Sequence, residues 1–260
     1  MNEQIREENG QFYLDTDKTL VQGGRYTGCL YAKKIHEDGL PYGTFRTYTM
    51  LVRGADVVLK GVTVENTAGR GKDVGQALAV YADGDGFRAE DCRFLGHQDT
   101  LFLAPLPPKE ILKNGFLGPG QNQPRRDHVM YFKDCLIEGG VDFVFGGATA
   151  YFDNCEFRSV EPGYVFAPST PQGAKEGFVC RNCRFTAAAS LEAESCYLGR
   201  PWREYAKVRL ENCYLGAHIK KEGWHDWDKP QARELSEFVE IGSYGPGAEN
   251  GRRPAWVKVM

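Results

Sequence analysis

Along this chain an alternation of apolar and polar residues repeatedly breaks at a small turn-forming residue and then resumes in the same frame. The copies are Val57 to Val64 around Gly61-Val62, Phe87 to Phe94 around Asp91-Cys92, and Met130 to Ile137 around Asp134-Cys135. Three more follow: Ala150 to Phe157 around Asn154-Cys155, Phe178 to Phe185 around Asn182-Cys183, and Val208 to Leu215 around Asn212-Cys213. Alternation with period two predicts strands. Gly, Asp or Asn at the break predicts a residue at positive φ, the conformation that other side chains avoid. Successive corners lie 30, 43, 20, 28 and 30 residues apart. Helical repeats of that length would carry a 3.6-residue period, and these segments do not. The expected fold is therefore all-β: a parallel β-helix whose coils stack about 4.8 Å apart. The chain is short enough, at 260 residues, to be one such domain throughout.

The repeat also decides how to read the cysteines. Of the 8 in the chain, Cys92, Cys135, Cys155, Cys183 and Cys213 share one position in the repeat, so they are expected to stack, reduced, inside the helix. Cys180-x-x-Cys183 has the spacing of half a metal site. No second close pair or His cluster completes four ligands, so neither a metal nor another cofactor is expected. A net charge of −3 argues against a nucleic-acid partner, and no run of about 18 apolar residues suggests a membrane span. The stretch Met1 to Glu8 is polar and carries no signal-peptide core. On that reading the expected location is cytoplasmic, or outside the cell if a leader has been trimmed. The 43-residue interval holds Ala104 to Asp127, rich in Pro and Gly, which reads as a loop ejected from one coil: a lid or binding wall, or a tolerated decoration.

Aligning the corners at Asp91 and Asp134 brings out a pair of acids. Asp99 and Asp142 each lie eight residues past their corner, and the other corners carry Gly69, Pro162, Ser190 and Lys220 at that offset. In neighbouring coils the two carboxylates would face each other at about 5 Å. Carboxylates that close divide their roles, one holding a proton while the other stays charged. As a bare pair they read more readily as strand-end aspartates bonding turn amides, but their neighbours change the balance. Gln98 adjoins Asp99, and Gln76 precedes Ala77-Leu78-Ala79-Val80; their amide N–H groups suit a developing oxyanion. Arg200 could hold one carboxylate in its charged form. The chain contains no Gly-x-Ser-x-Gly elbow, phosphate-binding loop or His-Glu-x-x-His motif.

At these residues the sequence resembles the pectin methylesterase (pectinesterase) family. The similarity is carried by Gly75-Gln76-Ala77-Leu78-Ala79-Val80, Gly96-His97-Gln98-Asp99-Thr100-Leu101, Val141-Asp142-Phe143-Val144-Phe145-Gly146 and Leu198-Gly199-Arg200-Pro201-Trp202. Val64 to Gly69, Gly223-Trp224-His225-Asp226-Trp227 and Gly245 to Ala248 flank these blocks, and the whole covers about residues 44 to 256. The resemblance implies a right-handed parallel β-helix that hydrolyses C6 methyl esters of galacturonosyl units. It implies Asp142 as nucleophile, Asp99 as acid and base, Gln76 and Gln98 as oxyanion donors, and Arg200 orienting Asp142. No metal is needed. Sugar subsites would map to Trp202, Phe145, Val141, Trp224 and Thr44.

Two departures qualify that picture. Residues 1 to about 40 read as shortened relative to the family, with Gly23-Gly24-Arg25-Tyr26 at best a remnant of a coil, so this end is expected to cap the helix or mediate self-association. A polar start also suggests short methylated oligogalacturonides as substrate. Three other readings stand: an inactive galacturonide-binding protein; a polygalacturonase-like glycosidase, for which about 5 Å between carboxyls is too close if it inverts; and a calcium-dependent lyase, whose acidic cluster the chain lacks.

Overall fold

The corners set the winding of the chain. Gly61, Asp91, Asp134, Asn154, Asn182 and Asn212 all adopt the left-handed conformation, with φ between 52° and 61°. In a computed structural model, residues 4–249 and 252–260 are described; Met1, Asn2 and Glu3 of the polar N-terminal stretch lie outside them. Each corner amide donates to the carbonyl one coil further on, as in Asp91 N to Lys133 O at 3.1 Å and Asn182 N to Glu211 O at 2.9 Å. Turning the chain and stacking the coils are thus one act.

Three parallel faces result. Strands entering the corners form the first face: Leu20–Gln22, Val58–Lys60, Arg88–Glu90, Val129–Lys133, Thr149–Asp153, Phe178–Arg181, Lys207–Glu211 and Glu237–Ile241. Strands leaving them form the second, from Arg25–Gly28 through Thr63–Asn66 and Arg93–Leu95 to Tyr214–Leu215. The third runs through Gln11–Leu14, Met50–Val52, Val80–Ala82 and Leu101–Leu103 to Tyr197–Gly199. Leu136–Gly146 and Glu156–Pro168 each bend from the second face into the third without a break. Apart from shifts between Gly139 and Val144, where Leu136–Gly146 bends beside Glu156–Pro168, the pairing is in register, with Phe132 opposite Ala89 and Phe152, and Phe94 opposite Val64 and Ile137.

This register turns a repeat in sequence into ladders in space. Phe132 stacks on Phe152 at 4.7 Å and Phe157 on Phe185 at 5.0 Å, all buried. The five corner cysteines lie buried in the same core as free thiols. Cys180, which shares the Cys-x-x-Cys spacing with Cys183, belongs to that core too. Fully burying one such aromatic contributes roughly 1.5–3 kcal/mol relative to exposure.

The N-terminal segment corrects one expectation. Gln11–Leu14, Leu20–Gln22 and Arg25–Gly28 complete a coil with a strand on every face, turning at Gly23 and Gly24, both at positive φ. The Gly23-Gly24 corner lacks the Asx-Cys pair of most other copies, so this coil does not stand out in the sequence. Arg6–Glu8 then folds back antiparallel on Gln11–Leu14, so the third face ends on the chain's own hairpin.

Candidate active site

The third face carries a second set of corners, and two of them are the paired acids. Leu101 lies opposite Val144, so Asp99 and Asp142, each two residues upstream, occupy the same place in successive coils, about 5 Å apart by strand spacing. Both adopt positive φ, 63° and 50°. The Asp99 amide donates to Val141 O at 3.0 Å, tying the two corners together. Both side chains are buried, at 8% and 7% exposure, so their charges cost far more here than in water.

Arg200 discriminates between them. It follows Tyr197–Gly199 and reaches back across the intervening coil to grip Asp142 with both arms, Nε to Oδ1 at 2.9 Å and Nη2 to Oδ2 at 2.7 Å. The guanidinium is held flat between two rings, 3.9 Å from the centroid of Tyr164 and 3.7 Å from that of Trp227. That sandwich fixes the plane of the fork. Burial raises the Asp142 pKa, and Arg200 offsets only part of that rise. Asp99 has no such clamp: burial first, then the Asp142 charge, hold its pKa well above the ordinary 3.8. Of the two, Asp99 is thus the group disposed to hold a proton and Asp142 the group disposed to carry the charge.

Gln76 and Gln98 line the same cleft as the two acids. Neither side-chain amide is committed to a partner among the described residues, so both can donate to a ligand oxygen. Gln98 is held by close packing rather than by a hydrogen bond. A Cβ at Gly71 would lie 2.2 Å from Gln98 Oε1 and 2.7 Å from its Cβ, so only glycine leaves room there. This requirement is invisible in the sequence, because Gly71 belongs to a short helical turn, Gly71–Val74, that adjoins the Gln76 block and lies far along the chain from Gln98.

The cleft, of about 420 Å³, takes its apolar walls from Phe45, Phe116, Phe145, Trp202 and Trp227. Of the residues assigned to sugar subsites, Thr44, Phe145 and Trp202 line this cleft. Trp224 does not: it is 1% exposed, stacks on Phe238 at 4.5 Å and donates Nε1 to Glu240 at 2.8 Å. The reason is pairing. Trp224 bridges Gly199, which sets its ring inward, whereas Trp227 sits at positive φ three residues on and faces the cleft. Val141 is half-buried, pairs with Tyr164 and is absent from the lining. Trp227 and Tyr164 carry no sign of this role in the sequence beyond the place of Trp227 in the Gly223 to Trp227 block.

The pectinesterase family model matches residues 12–105 and 125–260. Pectinesterase 31 of Arabidopsis thaliana is 33% identical over 219 residues, covering 84% of this chain and 61% of that protein. A pectinesterase of Petunia integrifolia is 32% identical over 260 residues, covering 94% and 63%. The chain thus spans less than two thirds of the length of either relative. Among solved structures, pectin methylesterase from carrot superposes with a TM-score of 0.74 at 24% identity, covering 98% of this chain and 80% of that one. Pectin methylesterase PemA from Erwinia chrysanthemi gives 0.73 at 24%, covering 95% and 80%. At that identity these structures speak for the fold, the parallel β-helix.

Proposed function

This chain belongs to the pectinesterase family, and from that premise we propose that it is a carboxylic ester hydrolase removing C6 methyl esters from methylated galacturonides. The observation that carries the reading is the two-armed grip of Arg200 on Asp142, beside an Asp99 left to hold its proton.

The reaction follows from that division. A charged Asp142 oxygen attacks the ester carbonyl carbon, and the negative charge that gathers on the carbonyl oxygen is met by the Gln76 and Gln98 amides. As the C–O bond to the methoxy group breaks, Asp99 gives that oxygen its proton and methanol leaves. The galacturonoyl group is now joined to Asp142 as an anhydride. Asp99, deprotonated, takes a proton from water while the water oxygen attacks the same carbonyl. Asp142 departs as carboxylate, Asp99 is left protonated as at the start, and the galacturonic acid formed releases its proton to solvent as galacturonate. The aromatic walls from Phe45, Phe145, Trp202 and Trp227 suit the apolar faces of pyranose rings.

Methanol release from methylated galacturonan, measured for the protein and for Asp142→Ala, tests this reading. Release by the protein and none by the variant is expected. Galacturonide binding without methanol from either would favour the inactive binding protein.

A further inference from the structure

The family match leaves out residues 106–124, yet this segment builds part of the cleft. Ile111, Leu112, Gly115 and Phe116 line it beside Gln76, Gln98 and the two acids. The base of the segment is firmly seated. Phe116 packs edge-on against Phe45 at 5.8 Å and Trp202 at 6.3 Å. Arg125 staples the loop together through the carbonyls of Pro107, Gly120, Gln121 and Gln123. A Cβ at Gly118 would lie 2.5 Å from Phe45 O, so the loop backbone is pressed onto the aromatic wall. Above this base, Ile111 and Leu112 stand 72% and 74% exposed at the cleft mouth.

The charges around that mouth matter as much as the apolar surface. Arg200 and Arg203 are the cations of the lining. Arg200 is committed to Asp142. Arg203 donates to Trp202 O at 3.0 Å and Lys109 O at 3.2 Å, both backbone acceptors. A sugar unit flanking the reacting one brings either an ionised carboxylate or its methyl ester. Arg203 keeps its charge, and Lys109 and Lys113 flank Ile111 and Leu112 in the chain without lining the cleft. On the apolar side chains themselves a carboxylate would lose water, whereas the ester methyl would gain apolar contact.

We propose that Ile111 and Leu112 receive the methyl ester of a flanking unit, so that this chain selects substrates esterified at consecutive units and slows as free carboxylates accumulate beside the reacting ester. The proposal rests on the esterase reading and adds substrate choice to it.

The test compares kcat/KM per ester for a fully methylated hexagalacturonide and a hexagalacturonide bearing one methyl ester. The protein should favour the first by about tenfold, the order expected when a hydrophobic contact is gained or lost. In an Ile111→Ser, Leu112→Ser double variant, which changes two exposed side chains, that preference should fall towards one. Ile111→Leu with Leu112→Ile should retain it, and Asp134→Asn on a distant corner should leave it at the starting value. An equal rate on both substrates, or a preference the double serine variant keeps, overturns the proposal while the esterase reading stands. No methanol from either substrate overturns both.

Discussion

Two ladders of Asx residues run along this β-helix with the same backbone and opposite surroundings. At the corners between the first and second faces, Asp91, Asp134, Asn154, Asn182 and Asn212 hold φ of 52° to 54° with exposed side chains. On the third face, Asp99 and Asp142 hold 63° and 50° with theirs buried. Outside, the polar group is solvated or pairs cheaply with its neighbour, as Asn154 Nδ2 does with Asp134 Oδ1 at 2.5 Å. Inside, the same residue type faces desolvation and a second carboxyl, and its proton affinity moves. The left-handed corner is therefore a device of the fold, and chemistry begins where two such corners are covered by aromatic walls and one is gripped by Arg200.

Breaking the buried ladder should cost far more activity than breaking the exposed one. Asp142→Asn should lower kcat by about 10⁴-fold or more, because a neutral amide cannot attack the ester. Asp134→Asn should leave kcat within twofold, and methanol assays on both variants check the contrast.

Asp99→Asn should cost about 10²–10⁴ in kcat and at the same time stabilise the protein near neutrality. The Asp99 pKa is raised on folding, so its charged form opposes the folded state. The native carboxyl is harmless below its ordinary value of 3.8 and loses stability as pH rises through its folded value. A higher Tm for the variant at pH 7, disappearing by about pH 3, is the expected pattern.

Arg200→Ala should reduce kcat/KM by about 10²–10³. It should also move the acid limb of the pH profile upward, since burial then acts on Asp142 without its counter-charge. Arg200→Lys keeps a charge without the fork and should recover only part of the loss.

Gly71→Ala should lower kcat by about tenfold through displacement of Gln98, with a smaller change in KM. Smallest of all, Asn154→Ala puts a poorly tolerated side chain on an exposed left-handed corner. It should cost about 1 kcal/mol, lowering Tm by roughly 2–4 °C without touching activity, as thermal melts beside methanol assays would check.

Much of this was legible before any coordinates. The corners, the cysteine stack and the parallel winding all follow from a period that repeats in the chain. The offset shared by Asp99 and Asp142 is likewise arithmetic on that repeat, since a regular coil converts equal sequence spacing into spatial adjacency. What stayed hidden lacked any period. The coil at residues 11–28 was missed because its corner is Gly23-Gly24, without the Asx-Cys pair that marks most of the other corners. Trp224 and Trp227 could not be told apart, because a single backbone bridge to Gly199 decides which ring turns inward. The loop after Ala104 announced itself by composition, but its place on the cleft wall depends on Phe45 and Trp202, which are far away in sequence.

The sequence alone determined where the chain turns, which residues repeat and which two acids share a register, because each of these is a local or periodic property. The tertiary structure alone decided that Arg200 lies between Tyr164 and Trp227 with both arms on Asp142, that Gln98 needs a glycine at position 71, and that Ile111 and Leu112 stand at the cleft mouth. Those contacts join segments tens of residues apart, and no spacing along the chain encodes how a side chain meets a partner from another coil.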